Sequence, residues 1–396
     1  VPSGYDITLL STADWDNPFW TNKQHVAVEL ARRGHRVLYV ESLGLRRPSA
    51  SMQDLRRVLR RAFKALQFPR AVRPGIWVWS PLVIPLQRYA AIRWINRRLL
   101  AAGLSFWSRV LRFRPQLLWT YNPMTLQLLP TQRFQILVYH CVDEISAQPG
   151  MPSHEIERAE TELLRAAHLC FVTAEGLLEP RRAINAETYY FPNVADYGHF
   201  ARARDPLTAI PADVAALPSP RLGFIGAISG YKLDFDLLRT VAERQPGWSI
   251  ILIGKVGEGD PWTDLAALRG LRNIHLLGPR AYGVLPAYLK GFDVAILPSA
   301  RNEYTAGMFP MKFFEYLAAG CPVVSTDLPA LRTYASLASL AGDAEQFIEG
   351  VRGALAGRCA SLDERLGAAQ SQTYEHRTER MLSLIARLAP DPRRQA

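Results

Sequence analysis

The 396-residue sequence holds only four cysteines, Cys141, Cys170, Cys321 and Cys359, far apart and with no CxxC pair. That spacing argues against a disulfide framework or a zinc knuckle, and it fits a reducing cytosol. Long apolar runs are also missing. A membrane-spanning helix needs roughly 18–20 apolar residues, and the longest stretch here, 76–86, is cut by Pro81 and Pro85. The opening residues lack the basic-then-apolar pattern of a secretory leader. Neither GFIGAISG (223–230) nor GKVGEG (254–259) reads G-x-G-x-x-G, which disfavours a dinucleotide oxidoreductase. Acid is scarce in one region: residues 46–114 contain 16 basic residues against Asp54 alone.

What is present is ordinary for a globular protein, with 48% hydrophobic and 21% charged residues. The length suggests two domains, each large enough for its own core. The formal charge of +11 is concentrated: residues 1–130 carry 20 basic and 6 acidic residues, and the remainder 27 and 30. Two segments hold the excess. Residues 54–66, DLRRVLRRAFKAL, and 89–111, YAAIRWINRRLLAAGLSFWSRVL, place apolar residues at helical spacing among arginines. Basic amphipathic helices with aromatic residues suit an anionic membrane surface. A solvated helix over a domain core is the plainer reading, and nucleic acid has no zinc-finger or RNA-recognition motif to support it.

Both halves alternate short β-rich runs with helical patterns. The runs in the first half are 7–12, 36–42, 76–80, 117–121, 136–141, 169–173 and 188–191. Those in the second half are 221–227, 249–254, 273–278, 293–298 and 322–326, with helices near 234–244, 262–269, 284–291, 311–319 and 343–354. Continuous apolar strands between helices imply doubly wound parallel sheets. The expected architecture is α/β, with two Rossmann-like domains facing across a cleft. Domain one would span 1–195 and domain two 221–375. Residues 196–220, with four prolines, would be the linker, and 376–396 a helix and tail packing back on the first domain.

Chemistry concentrates in PSARNEYTAGMFPMKFFEYLAAGCPVVSTD, residues 298–327. A strand runs into a polar loop and then a helix, the setting in which open α/β sheets bind ligands. Backbone N–H groups and the dipole at the helix start favour a phosphate. Lys312 adds a full charge, and Glu315, one turn later, could accept hydrogen bonds from a ribose diol. On spacing alone, a capped helix with an exposed Lys–Glu pair explains the same residues.

The segment PMKFFEYLAAGCPVVST resembles the donor-site signature of GT-B fold glycosyltransferases, especially the family 4-type group found in bacterial polysaccharide assembly. Residues 223–238, 273–299, 191–200 (FPNVADYGHF) and 29–42 resemble other stretches of that group. The resemblance implies a nucleotide-diphosphate sugar on the second domain. Glu315 would hold the ribose, and Lys312, Lys232 and the backbone of 305–311 (with Thr305 and Gly307) the diphosphate. Gly226 would belong to the same pocket, and Gly254, Arg280 and Tyr282 would lie near the base. No cofactor and no required metal are implied. The sequence departs from the family's pair of glutamates eight residues apart: the nearest acid upstream of Glu315 is Glu303. The glycine-rich first loop is also absent. In its place, STADWDNPFWTNKQH (11–25) offers Asp14, Asp16, Asn17 and Lys23 to acceptor or phosphates.

In ILVYHCVDEIS (136–146), Asp143 is the candidate general base toward an acceptor hydroxyl, with His140 the alternative and Glu144 an aid. A base is needed only if the mechanism inverts. Of two DxD strings, Asp14–Asp16 and Asp234–Asp236, the second reads as a helix cap. The reading is a cytoplasmic glycosyltransferase, peripheral on the inner face of a membrane, whose acceptor is a saccharide, lipid-linked or membrane-held, in surface-polysaccharide biosynthesis. A GT-B-like nucleotide-sugar epimerase would leave the basic helices unexplained. A non-enzymatic binder of anionic membranes or nucleic acid would leave the second-domain motifs unexplained.

Overall fold

Apolar runs with polar breaks build two largely parallel sheets, each in its own unit of the chain. The structure, a computed structural model, describes residues 4–17, 20–43, 68–84 and 89–388. The basic pattern at 54–66 lies outside the described residues. One unit comprises 1–172, 177–191 and the chain from Thr378 onward; the other comprises 173–176 and 192–377.

In the first unit the strands are β1 (Asp6–Leu10), β2 (Arg36–Val40), β3 (Arg70–Arg73), β4 (Ile76–Trp79), β5 (Pro115–Thr120), β6 (Ile136–Cys141), β7 (Leu169–Val172) and β8 (Thr188–Tyr190). Their order is β3-β4-β2-β1-β5-β6-β7-β8, parallel except for β3 against β4. Most of these strands are buried along their length, which is why they read as continuous rather than alternating hydrophobic runs. The helix Asn22–Arg32 returns β1 to β2. Strand β3, RAVR, was not expected: its arginines hide a strand that sits exposed at the sheet edge.

In the second unit, β9 (Arg221–Ile225), β10 (Ser249–Ile253), β11 (Ile274–Leu276), β12 (Val294–Leu297), β13 (Val323–Thr326) and β14 (Ala338–Ala341) form a parallel sheet. The order is β11-β10-β9-β12-β13-β14. The chain moves outward one way from β9 to β11, then crosses back and continues from β12 to β14. The reversal falls between β9 and β12, and a crevice at such a point is where this sheet type takes ligands. Strand β14, ASLA, also escaped the sequence reading because it is short and holds no β-branched residue. The helix expected at 262–269 is only a 3₁₀ turn, Ala266–Leu268. The proline-rich stretch 196–220 falls within the second unit and carries short helices at Tyr197–Phe200 and Ala212–Ala215.

The last described helix, Tyr374–Leu388, begins in the second unit and ends in the first. Its Met381 and Ile385 are fully buried in the first unit's core beside Ile7, Leu9 and Val37. No helix among the described residues is long and apolar enough to cross a membrane.

Candidate functional site

The second unit's reversal point is built by two loops bound to each other. The loop after β9 and the loop after β12 run side by side, with Asp234 N–H donating to the Pro298 carbonyl and Ala300 N–H to that of Lys232, both at 2.9 Å. The Asn302 side chain donates to the Tyr231 carbonyl at 2.8 Å. Lys232 is thereby held beside Tyr231 and Tyr304, its Nζ 5.3 and 5.6 Å from the two ring centres. Cation–π attraction of this kind positions an ammonium without neutralising it.

The helix Lys312–Ala319 docks onto the same place. Its Tyr316 hydroxyl accepts the Ile225 N–H at 2.8 Å, tying the helix to the carboxyl end of β9. Phe309, Phe313 and Phe314 are fully buried and cluster with Tyr334, which fixes the approach to the helix. Gly320, at φ +87°, ends it in the left-handed conformation that glycine tolerates best. Lys312 is the first residue of the helix, and its Nζ lies 2.6 Å from Glu315 Oε2. The side chains are 17% and 3% exposed, so this is a nearly buried pair rather than the exposed one that spacing alone suggested. Burial raises the Glu315 pKa above the ordinary glutamate range; Lys312 opposes the rise and Asp196 adds to it.

Asp196 and His199 were given no role by the sequence reading. Both lie in the segment FPNVADYGHF and stand around Tyr282. The His199 ring stacks on Tyr282 at 4.2 Å and 10°. Its Nε2 lies 3.0 Å from the Tyr282 carbonyl and therefore carries the proton. Burial lowers the His199 pKa, which favours the neutral ring. Burial raises that of Tyr282, and the nearby Glu315 and Asp196 charges add to it. Tyr282 thus joins the surroundings of Glu315.

Several expected ligand residues have other employment. Arg280 is bound to Asp213 at 2.8 Å and to the Tyr288 hydroxyl at 2.6 Å, and this contact lowers the Asp213 pKa. It thereby links the helices Ala212–Ala215 and Leu285–Lys290. The Thr305 hydroxyl is buried and donates to the Ala300 carbonyl at 2.6 Å, completing a cap with Asn302 on the one-turn helix Glu303–Ala306. The Thr305 N–H is engaged as well, donating to Asn302 Oδ1 at 3.0 Å. Glu303 opens that turn, exposed, while Gly307 closes it and occupies the position eight before Glu315. Gly254 allows close backbone packing, since a Cβ there would lie 1.7 Å from the Gly226 carbonyl oxygen, while one on Gly226 would come within 2.7 Å of the Phe224 ring. Asp234 caps the helix Phe235–Arg244 through Leu237 N–H at 2.8 Å, as expected.

In the first unit, Asp143 follows β6 and is half-buried. His140 lies inside β6, fully buried, stacked on Tyr121 at 4.8 Å and accepting from Trp119 Nε1 at 3.3 Å. It belongs to an aromatic core with Trp119, Tyr121 and Phe171. Glu144 is likewise occupied, paired with buried Arg181 at 2.7 Å. In the first loop, Asp16 pairs with Arg70 at 2.7 Å. The Asp14 carbonyl accepts from Gln24, and Asn17 N–H donates to that same carbonyl in a turn. Lys23 is buried at the helix start with its Nζ 5.6 Å from the Tyr121 ring centre.

Comparison with known proteins adds to this geometry. Residues 219–356 match the family model described as glycosyl transferases group 1. Over 110 residues the chain is 38% identical to TuaH of Bacillus subtilis (strain 168), a putative teichuronic acid biosynthesis glycosyltransferase. The match takes in 28% of this chain and 27% of that protein, so it spans about a quarter of the relative's length. Among solved structures, sucrose-phosphate synthase from Thermosynechococcus elongatus superposes with a TM-score of 0.68 at 17% identity, covering 97% of this chain and 99% of that one. Anabaena HepE in complex with UDP-glucose gives 0.62 at 14% identity, covering 96% and 99%. Likeness at such identities speaks for the fold. The chain thus has a GT-B glycosyltransferase fold and carries within it a glycosyl transferases group 1 domain.

Proposed function

We propose that this protein is a glycosyltransferase that moves a sugar from a nucleotide-diphosphate donor to an acceptor hydroxyl. The observation that carries the reading is the nearly buried Lys312–Glu315 pair at a helix start tied to the end of β9, with Lys232 on the adjoining loop. Two cations and a helix N-terminus on one crevice match a diphosphate, and a deep carboxylate matches the ribose diol beside it. UDP-glucose bound to HepE, a protein of the same fold, is in keeping with such a donor.

In the transfer, the bond from the anomeric carbon to the diphosphate oxygen breaks and its electron pair leaves with the diphosphate. Lys232, Lys312 and the backbone N–H groups at the helix start neutralise that charge, which is electrostatic catalysis without an essential metal. The acceptor oxygen bonds to the anomeric carbon. Where the reaction inverts configuration, Asp143 takes the acceptor proton. The acceptor is a saccharide held at a membrane or on a lipid, and the enzyme works at the cytoplasmic face in polysaccharide assembly. The basic segments of the first unit and the teichuronic acid relative support this part.

A thermal-shift screen of nucleotide diphosphates and their sugars tests the donor site, since a ligand that binds only the fold raises its melting point. One nucleotide is expected to stabilise the protein. Lys312→Ala is expected to lower turnover about 100-fold, and Glu315→Ala to abolish the shift while circular dichroism stays native. Undiminished nucleotide affinity in both variants would remove the site. Transfer is further expected to survive EDTA.

A further inference from the structure

The helix Ala90–Val110 carries apolar side chains on its outward side as well as on its inward one. Its inward face carries Asn96, Leu100, Leu104 and Ser108. Asn96 is locked by paired hydrogen bonds to the Ile84 backbone at 2.8 and 2.9 Å. At Gly103 a Cβ would come within 2.6 Å of the Trp79 ring, so the helix sits hard against the sheet on that side. The outward side carries Ile95, Leu99, Phe106 and Val110, all exposed. At 3.6 residues per turn these four fall within an arc of about 60°. A solvated helix places its apolar stripe inward and its charges outward; here a second apolar stripe faces out.

Two further observations say what meets it. Arg98 and Arg109 flank the stripe, and Arg98 lies 5.2 Å from the ring centre of Trp94, itself 60% exposed. No acidic residue occurs anywhere in 68–114. Two copies of such a face would bring like charges together, so self-association is electrostatically disfavoured. Exposed indole and phenyl rings among arginines match the boundary between lipid headgroups and acyl chains.

We propose that this outward stripe is the contact through which the protein docks reversibly on an anionic bilayer, with the helix lying in the headgroup plane. Leu99 and Phe106 enter the acyl boundary, and Arg98 and Arg109 meet lipid phosphates. The inference gives a place to the membrane association in the functional reading, but it does not depend on the donor site.

The test is flotation of the full chain with vesicles of phosphatidylcholine alone and with added phosphatidylglycerol. Binding is expected only with phosphatidylglycerol, and it should weaken as salt rises. Arg98→Gln and Arg109→Gln are each expected to weaken it about fivefold, the worth of one basic residue at such a surface. Leu99→Glu combined with Phe106→Glu should weaken it more than tenfold, with melting point and nucleotide-induced stabilisation unchanged. Equal binding to neutral vesicles, or binding indifferent to the glutamates, would overturn the proposal. So would a dimer that the glutamates dissociate, or a melting point that they lower, because the stripe would then be covered by a second copy or by this chain. Vesicle binding without any nucleotide effect would keep this contact and lose the donor assignment.

Discussion

Glu315 is nearly buried beside one ammonium group, and burial outweighs that group in setting its pKa above the ordinary range. A carboxyl whose folded pKa is raised favours the fold in its protonated form. Its contribution is complete below the unfolded value and is lost as pH rises through the folded one. Glu315→Gln removes this titration. Relative to the wild type, the variant's melting point is expected to rise as pH climbs from about 4.3 toward neutrality. Donor affinity should move the other way, because the carboxylate is the stronger acceptor for ribose hydroxyls. Wild-type affinity should strengthen over that rise while the variant's stays flat. Calorimetry and donor titration at a series of pH values read both, and parallel curves would remove Glu315 from the ribose site. At this scale the sequence is informative about residue types and silent about distant partners. Lys312 and Glu315 stand one turn apart on one helix, so their pairing follows from local spacing. Arg280 meets Asp213 from 67 positions away, and Thr305 is consumed by a cap. No local pattern marks the first, whereas the second is local, a cap between Asn302 and Thr305 three residues on.

Among the elements, the strands buried on both faces were the most legible. β6 falls on the expected residues, and β9, β10, β12 and β13 differ from expectation only at their ends. The misses were β3 and β14, where charge or small side chains replace the usual β-branched residues. The same contrast explains the glycines that end β9 and β10. The resemblance implied that both belong to the donor pocket, and Gly254 also lets two strand ends approach within a distance no side chain permits. Gly254→Ala should therefore cost about 1–3 kcal/mol of stability, seen as a lower urea midpoint, with donor affinity falling only as far as the strand ends are displaced. An unchanged midpoint with lost donor affinity would return Gly254 to the role of ligand contact.

Over the whole molecule, sequence order and structural unit part company at the C-terminus. The first unit's core is finished by Met381 and Ile385, which arrive only after the chain has built the second sheet. A helix and tail over 376–396 was the sequence expectation, but the residues that fill the core could be chosen only with the packing in view. This arrangement can be followed optically, because seven of the nine tryptophans lie in the first unit and only Trp248 and Trp262 in the second. Ile385→Ala removes buried methylenes from a site with no exposed surface, a change that costs about 2–5 kcal/mol in a packed core. The tryptophan-fluorescence midpoint in urea should fall accordingly, while a nucleotide that binds the second unit should still raise that unit's own stability. If the fluorescence midpoint stayed put, the last helix would be a surface strap and the first unit's core would close without it.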